Sequence, residues 1–176
     1  MTSRYLAIDL GAETGRVMLG TLESGRISLE ELSRFSNEPL RDDDGIYWNI
    51  PALIEGVRNG LVKAGALGHP ITSVSADAWG VDYVLIDNKG KIIEPVFHYR
   101  HPRTIDGEKK ALNKVDWPTL FDESGVQYML LNTSIQLCSE VPDRLSMAKT
   151  ILTIADAFNY ILSGVAKIEV SMASTT

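Results

Sequence analysis

An α/β fold is what this sequence predicts, and three observations predict it. Residues 5–35 read as strands joined by tight turns, a capped amphipathic helix follows from Asn49 to Ala64, and beyond it two further strands give way to helices. In chain order, the apolar run Tyr5-Leu6-Ala7-Ile8 leads into Asp9 and a glycine-bracketed turn, and Val17 to Leu22 returns as a second strand. Ser24-Gly25 turns into a loosely alternating third strand, Arg26 to Phe35. After the polar loop Arg41 to Gly45, Asn49 caps a helix entered through Pro51, on which Leu53, Val57, Leu61 and Ala64 share one face. Gly65 to Pro70 is expected to stop it. Strands are expected at Ile71 to Asp77 and Val81 to Ile86, with Asp87 to Gly90 as a turn. Helices are expected over Arg103 to Lys114, Pro118 to Ser124 and Ile151 to Leu162, the last ended by Gly164. No internal repeat or linker divides the chain, so one domain spans 1–176.

Composition narrows the class. A chain of 176 residues with 44% apolar content is large enough for one core and too apolar for wholesale disorder. Its net charge of −6 opposes nonspecific attraction to nucleic acid or an anionic membrane, and no basic stripe offsets it. The only cysteine, Cys138, has no internal partner, and no basic start precedes an apolar signal core, so a cytoplasmic location is expected. Apolar stretches fall short of the ~20 residues that cross a bilayer. His69, His98 and His101 are the histidines, and with Cys138 they make no metal-ligand cluster.

The chemistry is concentrated in Asp9-Leu10-Gly11-Ala12-Glu13-Thr14-Gly15-Arg16. Glycines permit a backbone that aims N–H groups and a hydroxyl at phosphate oxygens. A Walker loop needs a Gly-Lys-Ser/Thr ending and a dinucleotide fingerprint needs Gly-x-Gly-x-x-Gly opening a helix; neither spacing is present. What remains is a strand-turn-strand phosphate loop of the type in the actin, Hsp70 and sugar-kinase ATPases. An ordinary Asp-Gly hairpin uses the same residue types and stays open as an alternative.

Tyr5 to Leu19 as a whole resembles the opening hairpin of the FGGY carbohydrate kinases. Asp77-Ala78-Trp79-Gly80-Val81-Asp82-Tyr83-Val84-Leu85 resembles their sugar-facing strand and turn, and Tyr99-Arg100-His101-Pro102-Arg103-Thr104 the segment that follows. Ser124-Gly125-Val126-Gln127 and Leu131 to Leu137 fit in the same order, so the likeness runs from residue 4 to residue 176. It implies a ribonuclease-H-like mixed sheet with flanking helices, incomplete here, in an ATP-dependent enzyme that phosphorylates a ketose. L-rhamnulose, giving a 1-phosphate, is the first choice, with fuculose or xylulose as alternatives. A noncatalytic fragment that binds a sugar or a partner is the reading from another class.

The resemblance also implies roles. Asp9 would hold Mg²⁺ through water, and Ala12, Glu13, Thr14, Gly15 and Arg16 would cradle the phosphates of ATP. Gly80 would let backbone approach the sugar, Trp79 would wall its deoxy methyl end, and Asp82 would accept its hydroxyls. Trp79 as plain core and Asp82 as a turn-former are the structural alternatives. Arg100 and Arg103 are within the types that reach phosphate or carboxylates but read first as surface or helix-end residues, Asp156 as structural, and Asn132 and Thr133 as cleft or cap residues. The family's general base and adenine pocket are expected beyond Thr176, which leaves no catalytic residue in this chain and the chain alone inactive. Two positions depart from the pattern: Glu13 stands where relatives carry Ser or Thr, and His101 stands where an acid is expected.

Overall fold

The computed structural model describes residues 2–175. Strand β1 (Thr2–Leu10) alternates with period two, burying Leu6, Ile8 and Leu10 on one face. Strand β2 (Thr14–Glu23) returns antiparallel to it, with Leu10 opposite Gly15 and Asp9 opposite Arg16. After the Ser24-Gly25 turn, β3 (Arg26–Ser36) pairs with β2. Short strands β4 (Leu40–Arg41) and β5 (Ile46–Trp48) precede helix α1 (Ile50–Ala66).

Helix α1 starts as its sequence dictates. Asn49 Oδ1 accepts from the Ala52 N–H at 3.2 Å, and Pro51 sits in the first turn where its missing N–H costs nothing. The buried face, Ile50, Leu53, Val57, Gly60 and Ala64, lies on β2 and β3. Two glycines set the approach: a Cβ at Gly60 would fall 2.4 Å from Val17 Cγ2, and one at Gly56 would fall 2.5 Å from the Phe35 ring. The helix ends at Ala66, within the Gly65 to Pro70 stretch expected to stop it: one glycine at Gly65 costs only about 1 kcal/mol, and the turn at Gly68, φ +67°, follows the end.

Strand β6 (Ser73–Ala78), two residues shorter at its start than the sequence suggests, lies parallel to β1 and completes a mixed sheet in the order β3-β2-β1-β6. The chain then builds β7 (Tyr83–Asp87), β8 (Val96–Phe97), α2 (Thr104–Leu112), α3 (Trp117–Ser124), α4 (Thr133–Cys138), α5 (Pro142–Met147), β9 (Ala148–Thr153), α6 (Ile154–Ser163) and α7 (Val170–Ala173). Strands β4, β5 and β8 form a small second sheet, and β7 pairs antiparallel with β9.

Two sequence expectations shift here. The helix expected over 151–162 begins at Ile154, because Ala148 to Thr153 is drawn into pairing with β7. The strand expected from Val81 begins at Tyr83, because Val81 adopts φ +67° in the turn before it. Thr153 caps α6, accepting from the Asp156 N–H at 3.3 Å while its hydroxyl donates to Asp156 Oδ2 at 2.7 Å. Asp156 is therefore structural. Asn159 of α6 reaches the sheet: its amide donates to Ala76 C=O and accepts from Ala76 N–H, both at 2.9 Å. One core joins β1, β2, α1, β7, β9 and α6. Among the described residues no helix is long and apolar enough to cross a membrane.

Candidate active site at the ends of two parallel strands

The parallel pairing of β1 with β6 places Asp9 beside Asp77 and Leu10 beside Ala78. The loop after β1 and the turn after β6 therefore leave the sheet from adjacent positions at the same end. In a period-two sheet, in-register neighbours share a face, so the carboxylates of Asp9 and Asp77 stand on the face opposite the Leu6-Ile8-Leu10 core.

The loop is fixed mainly by backbone. Gly11 N–H donates to Thr14 C=O at 2.9 Å, and a Cβ on Gly11 would come 3.1 Å from that oxygen. Gly15 has a packing reason, since its Cβ would overlap the Phe35 ring. Asn37, just past β3, is buried and spans the loop: its N–H donates to Glu13 C=O at 2.9 Å and its amide to Gly11 C=O at 2.8 Å. Thr14 and Glu13 are exposed and Ala12 is half-buried. Arg16 donates to Asp9 across the hairpin, with both side chains two-fifths or more exposed. An exposed pair of this kind contributes about 0–1 kcal/mol, little enough to reopen for a stronger ligand.

Mg²⁺ takes oxygen ligands and keeps several waters, needing one or two carboxylates besides phosphate oxygens. Asp9 with Asp77 beside it fits that demand, and among the described residues no cluster of three or more His, Cys, Asp or Glu offers a closed protein cage. Asp77 carried no assigned role in the sequence reading; only its register against Asp9 singles it out.

In the turn after β6, Gly80 has no atom within 4 Å of where a Cβ would stand, and its φ is not in the left-handed region. Neither packing nor conformation accounts for this glycine. Trp79 is half-buried, with its ring 4.1 Å from that of Trp48. Asp82 corrects the sequence reading. It lies beneath the turn at 1% exposure, with Oδ2 accepting from Trp48 Nε1 at 2.6 Å and Trp79 Nε1 at 2.9 Å, and Oδ1 from Gln136 Nε2 at 3.0 Å. Both oxygens are taken by protein donors, which removes it from the ligand surface. Burial without a cation pushes its carboxyl up to about 6, against the pull of those donors.

Helix α4 holds the turn from outside. Thr133 Oγ1 donates to Val81 C=O at 2.6 Å, and Gln136 Nε2 lies 3.1 Å from the same oxygen. Asn132 occupies the cap position of α4 but donates instead to Gln127 C=O at 2.9 Å. His98 stacks on Trp48 at 4.2 Å, and its Nδ1 accepts from the Arg100 N–H at 2.9 Å. Burial, then Arg100 and Arg41, bring its imidazole down to about 4.

A polar groove lined by Glu13, Asn37, Glu38, Arg41, His98 and Arg100 adjoins the loop. Arg100 is a surface residue, as expected, over the Tyr99 ring at 5.3 Å. Arg103 stands at the cap position of α2, a helix end as expected, but its side chain turns inward, 2.9 Å from the Glu140 carboxylate and 3.6 Å above the Phe97 ring. His101 is buried, with Nδ1 accepting from the Arg103 N–H at 3.0 Å, so it supports the chain at the start of α2 where an acid was expected.

The family model of the FGGY family of carbohydrate kinases, N-terminal domain, matches residues 4–176. The chain is 37% identical over 172 residues to the rhamnulokinase of Ligilactobacillus salivarius, an alignment covering 98% of this chain and 36% of the relative. Among solved structures, it resembles the xylulose kinase of Rhodospirillum rubrum at TM-score 0.80 and 14% identity, over 97% of this chain and 36% of that one. It also resembles Plasmodium falciparum glycerol kinase with ADP at TM-score 0.76 and 14% identity, over 99% and 37%. The chain thus spans about a third of the length of the curated relatives it matches. The ribonuclease-H-like mixed sheet expected from the sequence is the fold these kinases share with it.

Proposed function

This chain belongs to the FGGY family of carbohydrate kinases, and from that premise we propose that residues 1–176 are the front part of an enzyme that phosphorylates a ketose with MgATP. The observation that carries the site is the parallel register of β1 and β6, which sets Asp9 and its loop abreast of Asp77 and the Trp79-Gly80 turn. A phosphate-holding element and a sugar-facing element at one sheet end suit phosphoryl transfer, which needs positioning and charge neutralisation more than covalent chemistry.

In this reading the sugar's primary hydroxyl oxygen forms the new bond to the γ-phosphorus as the bond to the β,γ-bridging oxygen breaks, and ADP leaves. The hydroxyl proton would pass to a base that, with the adenine pocket, the rest of the kinase would supply. MgATP, when bound, supplies the phosphoryl group and much of its charge neutralisation. The loop N–H groups, Thr14 and Arg16 orient the phosphates, and Asp9 with Asp77 holds the cation side. Gly80 admits the sugar against backbone, and Trp79 supplies its apolar wall.

L-rhamnulose is the proposed substrate and the 1-phosphate the proposed product, supported by identity to rhamnulokinases that runs the length of this chain. The test is a coupled ADP-release assay of the full-length enzyme against a panel of ketoses. Turnover fastest with L-rhamnulose is expected. Preference for xylulose or fuculose would overturn the sugar, and no ketose-dependent ADP release would overturn the kinase.

A further inference from the structure

The least exposed charge near the candidate site makes no contact with solvent. Asp82 is 1% exposed, yet it joins three separate parts of the chain: Trp48 at the end of β5, Trp79 in the turn after β6, and Gln136 on α4. Its neighbours in the turn are held as tightly, because Asp82 N–H donates to Gly80 C=O at 2.9 Å and Val81 C=O accepts from α4. Val81 is β-branched at φ +67°, a conformation that costs on the order of 1–3 kcal/mol and persists only where surroundings over-determine it. Nothing in the packing of Gly80 requires the turn to be so constrained.

The donors explain why this position is an acid. Two indole N–H groups and one amide N–H converge on it, and a carboxylate offers acceptors only, on both oxygens. Asparagine would turn its own NH₂ toward either the indoles or Gln136. A buried carboxylate with no cationic partner is an expensive way to stabilise a fold, since apolar residues of similar volume would do as well or better. The return on that cost is geometry: the two indoles are fixed relative to each other, 4.1 Å between ring centroids, with the Gly80 backbone beside them.

We propose that Asp82 is a positioning residue for sugar recognition, which with Gln136 fixes the Trp79 indole and the Gly80 backbone without touching the sugar. The proposal rests on the reading of this turn as the sugar-facing element. Loosening Asp82 would let Trp79 rotate away from the ligand while leaving the phosphate loop, held by Asn37 and β3, undisturbed.

The experiment uses the full-length enzyme with Asp82→Asn and, separately, Trp48→Phe, which keeps a ring but removes one donor to Asp82. Both variants should raise the KM for L-rhamnulose about tenfold, the equivalent of roughly 1.4 kcal/mol, with the KM for ATP changing less than twofold. Both should also narrow the preference for L-rhamnulose over a ketose lacking its methyl group. If Asp82→Asn fails to fold, Trp48→Phe, at a residue not placed against the sugar, reads the loss of an Asp82 hydrogen bond from the donor's side. An unchanged sugar KM with a lowered Tm would overturn the proposal alone, and so would equal rises in both KM values. A wild-type enzyme that phosphorylates no ketose would overturn the site reading and this proposal with it.

Discussion

Two glycines on the same helix should respond to the same substitution with opposite signs. Gly65, in the last turn of α1, has nothing within 4 Å of its Cβ position, whereas a Cβ at Gly60 would meet Val17 Cγ2 at 2.4 Å and Ser33 Oγ at 2.6 Å. Ala is better than Gly in a helix by about 0.8–1.0 kcal/mol, somewhat less near an end, so Gly65→Ala should stabilise by about 0.5–1 kcal/mol. Gly60→Ala gains the same propensity and loses about 1–3 kcal/mol to overpacking. The upper half of that range applies, because Val17 is fully buried and its own Cβ would also lie 2.6 Å away, a contact that turning the side chain does not relieve. The net is a loss of about 1–2 kcal/mol. For a domain of this size each kcal/mol moves Tm by about 2–4 °C, so the variants should melt on opposite sides of the parent chain. Urea unfolding with two-state fits checks the same difference at 25 °C. If Gly60→Ala stabilised as much as Gly65→Ala, α1 would be free to ride outward from the sheet, and close approach would not be what the glycine provides.

In the full-length enzyme, Asp9→Asn should depress turnover across a Mg²⁺ titration far more than it lowers Tm; undiminished activity with clear destabilisation would make Asp9 a turn residue only. Gly80→Ala enters open space and should leave Tm nearly unchanged while raising the KM for the sugar and not for ATP, so a drop in Tm with no kinetic change would refute its place against the sugar. The pH dependence of stability contains two opposed contributions. His98, brought down from 6.5 to about 4, contributes stability that is lost as pH falls through that window, because the unfolded chain then binds the extra proton. Asp82, raised from 3.8 to about 6, does the reverse, losing stability as pH rises from about 4 to 6. Relative to the parent, in which His101, Glu94 and other shifted groups also contribute, the stability of His98→Gln by urea unfolding between pH 4 and 7 should therefore take a more negative slope with pH and that of Asp82→Asn a more positive one, and equal changes of slope would contradict the assignment.

What could be read from the sequence was local. The opening strands, the Asn49 cap with Pro51, and the helix stop at Gly164 depend on residues a few positions apart, and the structure has them. Strand β9 was hidden because Ile151 and Leu152 fit a helical face as well as a strand, and only pairing with β7 decides between them. Strands β4, β5 and β8 are two or three residues long, too short to show a period. The same divide runs through the site. The phosphate loop is a contiguous motif and could be read. Asn37 reaches it from 26 residues away, and Asp77 gains its meaning from register with Asp9. Asp82 was misplaced because an acid two residues after a turn glycine looks exposed in sequence; Trp48 and Gln136, 34 and 54 positions distant, bury it.

The pair of hydrogen bonds between Asn159 and Ala76 has a consequence for solubility. A side-chain amide carries the same donor and acceptor as a peptide unit, so Asn159 acts at that point as a one-residue substitute for a neighbouring strand. Among the described residues β6 is the last strand of its sheet, and Asn159 fills one position of its outer margin, where unpaired N–H and C=O groups can recruit another chain. A segment cut before Ile154 would lose this plug along with α6, and its β6 margin would be left as a template for intermolecular pairing.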